Sequence, residues 1–391
     1  MTLAPAGSHP AMAHSPFLTD EHEMIRETLR RYIRERVWPV ADAWEESGFV
    51  PREILLEMGS LGLLGMRHDA AYGGSGLDTL ASVVLAEELG RSGYGGFAVT
   101  VLVHTDMASP HLHHAGTAEQ KARYLPAIVR GEKIAAVAMT EADAGSDLAG
   151  MRTTARREGN EWVLNGAKMF ITNGVHGDIF FVAAKTGEPG RGRDISMFIV
   201  EKGTPGFRVA RPLRKHGWLS SDTAELVFED CRIPADNLLG EENRGFYALV
   251  RNLQNERIVL GAQAMGEASR AIELALAWTR ERQAFGATLW DKQVIRHTLA
   301  RRLSEVEAVR ALVHQTAWRD AQGQQVVQEV SMIKALAGDL VNKVMYDCLQ
   351  FHGGMGFIRE TAIERMARDA RVQAIGGGAS EVMLEEVAKR M

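Results

Sequence analysis

Cysteine is almost missing from this chain. Cys231 and Cys348 are its only two in 391 residues, and they form no metal-ligand or Cys-x-x-Cys spacing, so a disulfide framework, a redox pair and a thiolate metal site are not expected. Both read as reduced, buried and apolar in behaviour. Excess charge of either sign is missing too: the formal net charge is −5, and no Lys/Arg cluster suggests nucleic acid or an anionic membrane surface. No apolar run approaches the roughly 20 residues of a membrane-spanning helix. No internal repeat occurs, and no strand leads into Gly-x-Gly-x-x-Gly before a helix, so a Rossmann dinucleotide site is not expected. Gly73-Gly74-Ser75-Gly76 and Gly353-Gly354-Met-Gly356 do not fit that pattern. Residues 1–17 begin without a basic segment or apolar core and read as a flexible tail, not a signal peptide. The expected location is cytoplasmic, or the mitochondrial matrix in a eukaryote.

What is present divides into three blocks. Residues 18–134 carry helical periodicity almost throughout: Thr19-Asp-Glu-His is a helix start, Met24, Leu29, Ile33 and Val37 form a stripe, and Asp78 to Leu89 and Phe97 to Leu112 are further helices. Residues 135–244 change to period two. Asn165-Gly166, between Glu161-Trp-Val-Leu and Ala167-Lys-Met-Phe-Ile-Thr172, predicts a tight hairpin. Further strands are expected at Ile179–Ala183, Ile195–Val200, Gly206–Ala210 and Ala224–Phe228. In residues 245–391 the helical period returns, with long helices predicted over Phe246–Ala277, Lys292–Trp318, Val326–Phe351 and Thr361–Arg371. The fold class is α+β: a helical domain, an antiparallel β domain and a helical bundle.

The stretch Leu253-Gln-Asn-Glu-Arg-Ile-Val-Leu-Gly-Ala262 stands out. Glu256 lies three residues after Leu253 and four before Leu260, which turns a carboxylate toward a buried helix face. Such a group is costly unless it is paired or used as an acid or base. Periodicity alone favours a structural ion pair with a neighbouring helix; Arg257, adjacent in sequence, is a poor partner. Met139-Thr-Glu-Ala-Asp-Ala-Gly-Ser-Asp147 offers backbone N–H groups and hydroxyls to a polar ligand edge, or is an ordinary capped turn. Phe170 and Thr172 share a strand face, where they can wall a flat ring or simply be core. His111-Leu-His-His114 has nothing acidic or cysteinyl spaced to join it and reads as a solvated, non-functional run far from these motifs.

Five runs taken in order carry a resemblance: Ala138-Met-Thr-Glu-x-x-Ala-Gly-Ser-Asp147, Asn165-Gly-x-Lys-x-Phe-Ile-Thr-Asn-Gly174, Arg280-Glu-Arg-x-x-Phe-Gly286, Gln350-x-x-Gly-Gly-x-Gly-Phe357 and Arg368-Asp-Ala-Arg371. Together they resemble the acyl-CoA dehydrogenase family over residues 18–391. The resemblance implies that family's fold (helices, β domain, four-helix bundle) and FAD bound without a Rossmann fold. It implies flavin contacts from Met139, Thr140, Phe170 and Thr172. Arg282, Phe285, Gln293, Gln350 and Gly354 would reach the adenosine-diphosphate part across a subunit interface, with Glu381 also at the cofactor. Ser146 would lie near ligand phosphate or pantetheine groups, and Val99 and Val103 along the acyl tail. A homo-oligomer, a dimer of dimers, follows from a cross-subunit site.

Two departures matter for cofactor affinity. Ala142 stands where the family usually has Pro, and Ala379 where it usually has Thr. A third matters for chemistry: the loop position that often carries the catalytic Glu is Gly377. A subset similar to the long-chain and isovaleryl-CoA dehydrogenases carries its base on the first C-terminal helix, directly before an Arg, which matches Glu256-Arg257. The resemblance therefore implies α,β-dehydrogenation of an acyl-CoA, of medium to long or branched chain, to the trans-2-enoyl-CoA. Glu256 would take the pro-R α-proton as hydride moves to the flavin. The Gly377 N–H would meet the thioester carbonyl, Arg257 would position CoA or orient the loop, and electrons would pass to electron-transfer flavoprotein. The competing expectations are a flavin oxidase on the same fold (acyl-CoA oxidase or nitroalkane-oxidase-like) and an inactive acyl-CoA-binding homologue.

Overall fold

The computed structural model describes residues 15–187 and 194–391; residues 1–14 of the expected tail lie outside them. The chain opens with helices α1 (Asp20–Tyr32), continued by a π-helical turn Ile33–Val37, α2 (Ala41–Ser47), α3 (Arg52–Ser60) and α4 (Thr79–Arg91). Next come α5 (Gly95–Leu102), a second π-helical turn Val103–Ala108, α6 (Ser109–Ala115) and α7 (Ala118–Val129). Asp78 caps α4 by accepting from the N–H groups of Leu80 and Ala81, as a helix start with orphan donors requires. Of the expected α1 stripe, Leu29, Ile33 and Val37 are buried, but Met24 is exposed. Phe17, assigned to the tail by sequence, packs on Trp318, with ring centroids 5.8 Å apart.

The middle block contains β1 (Ala135–Ala138), β2 (Thr154–Glu158), β3 (Glu161–Thr172), β4 (Ile179–Lys185), β5 (Ile195–Glu201), β6 (Phe207–Pro212), β7 (Thr223–Pro234) and β8 (Leu238–Leu239). Their order is β6-β7-β3-β2-β4-β5-β8, with β1 alongside β4. The sheet is antiparallel except that β1 pairs with β4 in parallel and β2 touches β4 in parallel at Thr154 and Lys185. The expected hairpin at Asn165-Gly166 is corrected. β3 is one 12-residue strand, and the turn that leads into it lies at Gly159-Asn160, between β2 and β3. Asn165-Gly166 forms a bulge against β7 instead. The Asn165 side chain is paired with Asp230, accepting from its N–H at 2.8 Å and donating to its carboxylate at 3.2 Å. An Asn-Gly pair supplies conformational freedom, and a bulge uses it as readily as a hairpin does.

The last block holds α8 (Gly245–Glu281), a small hairpin of β9 (Gln283–Ala284) and β10 (Ala287–Thr288), α9 (Gln293–Ala321), α10 (Val327–His352), α11 (Ala362–Ala370) and α12 (Ser380–Ala388). The predicted long helix over 361–371 is only nine residues of α11, ending where the chain turns into the glycine loop. Among the described residues no helix is long and apolar enough to cross a membrane, and both cysteines are free and buried.

One apolar core runs through both helical blocks, from Leu29 and Phe97 to Val259, Val313 and Val341. α4 and α8 cross closely because glycines face backbone there. A methyl at Gly90 would lie 2.2 Å from the Gln263 carbonyl, and one at Gly266 would lie 2.1 Å from that of Glu87. Asp369, from the Arg-Asp-Ala-Arg run, ties the three blocks together. Its carboxylate accepts from the Gly95 N–H at 3.0 Å and the Trp218 N–H at 2.5 Å.

Candidate active site

α8 runs for 37 residues, and its first half carries the site. Glu256 is 5% exposed. Among the described residues no Lys or Arg is ion-paired with it, so a structural salt bridge does not explain it. Its Oε1 accepts from Asn252 Nδ2 at 2.9 Å, one turn back on α8. Asn252 also donates to the Met107 carbonyl at 2.9 Å, and Asn255 Nδ2 donates to the Asp106 carbonyl at 2.8 Å. These carbonyls belong to the π-helical turn 103–108, whose wider winding leaves main-chain acceptors for side chains to satisfy. The same turn reaches the sheet: the Ala135 N–H donates to His104 Nδ1 at 3.1 Å. The π-helical turn therefore joins the Glu256 helix to β1. Burial lifts the Glu256 carboxyl to about 7, against the opposing pull of the Asn252 bond and the Arg257 charge. A carboxyl so placed changes protonation near neutral pH, where a general base is most useful.

The glycine loop closes over the same helix face. Arg257 Nε donates to the Gly377 carbonyl at 3.3 Å. Lys334, buried on α10, donates to the Gln373 carbonyl at 2.6 Å and to that of Gly378 at 3.0 Å. Burial pushes Lys334 down to about 8, with the nearby Arg257 charge adding to the effect. Gly377 has φ +68°, and a methyl there would lie 2.3 Å from Leu260 Cδ1. Leu260 is one turn beyond Glu256, so the loop position and the helix carboxylate meet at one place on α8. The Gly377 N–H has no partner among the described residues. Gly377→Ala is expected to lower stability by about 1 kcal/mol through the positive φ. Urea midpoints check the effect.

A second group forms on the sheet. The Met169 N–H donates to the Thr140 carbonyl at 2.8 Å, which sets the loop containing Met139 and Thr140 beside β3. Register between β3 and β7 shifts between Lys168 and Ile171, and Phe170 sits in that bulge at φ +62° with its ring 64% exposed. A bulge re-aims a side chain. Here it turns a large apolar ring outward at a conformational cost of about 1–2 kcal/mol, beside the half-buried Thr172. The arrangement suits a flat aromatic ligand. Beneath it, fully buried Lys168 donates to Glu141 at 2.7 Å and to the Met139 carbonyl at 3.1 Å. Glu141 also accepts from the N–H groups of Arg152 and Thr153. Ala142 lies in the turn closed by mutual backbone bonds between Glu141 and Ala144; Ser146, just beyond it, is exposed. Val99 and Val103 are buried where α5 passes into the π-helical turn.

The third group does not converge with these in one chain. Arg282, Phe285, Gln293, Gln350 and Gly354 are exposed at the far end of the bundle, where Trp278 Nε1 donates to the Phe351 carbonyl at 3.0 Å. Glu256 and Arg282 are separated by about 39 Å of helix at 1.5 Å per residue. Phe285 is 97% exposed at φ +54°, and a methyl at Gly354 would meet nothing within 4 Å. Glu381 is exposed in the first turn of α12, after Ala379 at its N-cap.

One expectation fails outright. His111 is not solvated and not remote: it is 2% exposed, and its Nε2 lies 4.0 Å from Glu256 Oε1. α6 packs on α8 and turns it inward, a placement that the sequence spacing to Glu256 could not show. Among the described residues no group of three or more His, Cys, Asp or Glu side chains could hold a metal ion. Asn252, Lys334 and Lys168 escaped the sequence reading. Only Asn252, four residues before Glu256, carried a usable signal.

Helices, a sheet and helices thus place a buried carboxyl, lifted to about 7, beside a loop N–H that is unpaired among the described residues and next to a face that suits a flat ligand. Three domain descriptions match the chain: acyl-CoA dehydrogenase N-terminal domain over residues 19–132, middle domain over 136–231 and C-terminal domain over 243–391. The mouse mitochondrial long-chain specific acyl-CoA dehydrogenase is 40% identical over 381 residues, covering 95% of this chain and 87% of that protein. The crystal structure of an acyl-CoA dehydrogenase from Geobacillus kaustophilus superposes with a TM-score of 0.93 at 39% identity, covering 96% of this chain and 99% of the other. A glutaryl-CoA dehydrogenase from Mycobacterium smegmatis, solved in complex with FADH2, has a TM-score of 0.90 at 31% identity, covering 97% of this chain and 96% of the other. The chain belongs to the acyl-CoA dehydrogenase family and is an oxidoreductase of that class.

Proposed function

We propose that this protein removes the α and β hydrogens of an acyl-CoA thioester, with FAD as cofactor and Glu256 as the base. The buried, singly hydrogen-bonded Glu256 carboxyl carries this reading, because it lies on the helix face that the loop covers and titrates where a base can accept an α-proton. FAD fits the outward Phe170 ring, with Met139, Thr140 and Thr172 beside it, and when bound it supplies a two-electron acceptor for the β-hydrogen. Arg282, Phe285, Gln293, Gln350, Gly354 and Glu381 would serve the cofactor of a neighbouring subunit, which requires a homo-oligomer, a dimer of dimers.

The residues of the chain divide the rest of the work. Glu256 takes the α-proton in an apolar setting that excludes water. The Gly377 N–H donates to the thioester oxygen, where negative charge develops. Arg257 holds that loop by its carbonyl, and Ser146 meets the CoA part of the substrate. Val99 and Val103 leave room for a medium to long or branched tail. Electron-transfer flavoprotein is the proposed acceptor.

The test is an acyl-CoA chain-length panel followed by anaerobic bleaching of the bound flavin. Bleaching with slow reoxidation in air supports the proposal; fast peroxide formation would make the protein an oxidase, and a colourless protein that cannot be reconstituted would make it a binding homologue. Because Glu256 acts ionised and its carboxyl is lifted to about 7, kcat/KM should rise with pH through about 7 and level off above it. A pH profile flat from 5 to 8 would count against Glu256.

A further inference from the structure

The imidazole of His111 is an unexplained group. It is buried on α6, and both ring nitrogens lack a hydrogen-bond partner among the described residues. An unpaired buried polar group costs free energy, and its nearest charged neighbour is the Glu256 carboxyl, 4.0 Å from Nε2. Glu256 itself has one described donor, Asn252 Nδ2, although an ionised carboxylate accepts several. A donation from Nε2 would pair one of the two ring nitrogens and give the carboxylate a second donor.

We propose that His111 is a positioning residue for Glu256: its Nε2–H donates to the carboxylate and holds Glu256 in its base-competent form. The inference rests on the reading of Glu256 as the base. The pair is not a salt bridge, because burial drives the His111 imidazole down to about 4 and keeps it neutral. A neutral donor favours the ionised carboxylate without itself gaining charge. The other groups around the carboxyl cannot take this part. Arg257, next on α8, donates to the Gly377 carbonyl, and Lys334 of α10 is held by the Gln373 and Gly378 carbonyls. Asp106 of the π-helical turn accepts from Ser82 Oγ at 2.5 Å. His114, three residues on, is pushed down to about 3, chiefly by burial, and is neutral as well.

The test compares the FAD-loaded wild type with His111→Phe, which keeps a buried ring and removes the donor, and with His111→Gln, which returns an N–H donor. The readout is the infrared carboxyl band that Glu256→Gln abolishes, titrated against pH, together with the acid limb of kcat/KM. In His111→Phe both midpoints should rise by about one pH unit, and His111→Gln should recover most of that shift. An unchanged midpoint in folded His111→Phe would overturn the proposal. The wild type gives an answer that does not depend on any variant folding: the 15N shift of His111 should show a proton on Nε2 and should change as Glu256 titrates. A bare or indifferent Nε2 overturns the proposal. If Glu256→Gln stays active, the base assignment falls, while the infrared titration still decides whether His111 acts on Glu256.

Discussion

Replacing Glu256 by Gln is expected to lower turnover by about 10²–10⁴-fold while the protein keeps its FAD and still binds acyl-CoA. The amide has nearly the size of the carboxyl and still accepts the Asn252 bond, so packing around α8 survives. What goes is the group that can take a proton. Stopped-flow reduction of the flavin by acyl-CoA measures the loss, and wild-type rates would end the assignment. The variant should also be the more stable protein. The Glu256 carboxyl is raised in the folded chain from 4.5 to about 7, so the folded state binds the proton more tightly than the unfolded one. That contribution is fully present below about 4.5 and is lost as pH rises to about 7. Glu256→Gln removes the dependence, so at pH 8 it should exceed the wild type by up to about 3 kcal/mol, and at pH 4 the difference should vanish. Urea unfolding at the two pH values checks it. Such an exchange of stability for activity is common where a charge must be buried to react.

Lys168→Met should cost about 3 kcal/mol of stability and most of the affinity for FAD. Its ammonium is fully buried, pushed down to about 8 by burial with the Glu141 charge resisting. In return, although burial opposes it, Glu141 is held below the ordinary carboxylate range by the Lys168 charge and by bonds from the Thr153 and Arg152 backbone. Removing the ammonium leaves Glu141 buried without its counter-charge and frees the Met139 carbonyl. The loop that carries Met139 and Thr140 then loses its anchor on β3. The double variant Lys168→Met/Glu141→Gln should be milder than Lys168→Met, because no charge is then stranded. Thermal unfolding with and without added FAD separates the two effects. If Lys168→Met keeps both its stability and its flavin, the pair does not anchor the loop.

The three-block order was legible from hydrophobic period alone, because α8, α9 and α10 are long enough for the 3.6 repeat to stand out. β4 and β5 were legible as apolar runs bounded by turn residues. Asn165-Gly166 misled because local φ preference does not distinguish a bulge from a turn; pairing with β7 decided it. Glu256 was legible as a carboxylate on a buried face, and the empty side-chain position at Gly377 made it the leading base.

Apart from Asn252, four residues back on α8, the surroundings of Glu256 were not legible, since they come from distant parts of the chain. His111 reaches Glu256 across 145 residues, the π-helical turn offers carbonyls that only its altered winding exposes, and Lys334 holds a loop some forty residues away. Sequence alone determined the block order, the family resemblance and the choice of Glu256 as the proposed base. Tertiary structure alone decided the surroundings that make that carboxyl titrate near 7, because desolvation and hydrogen bonding depend on which distant residues close over it.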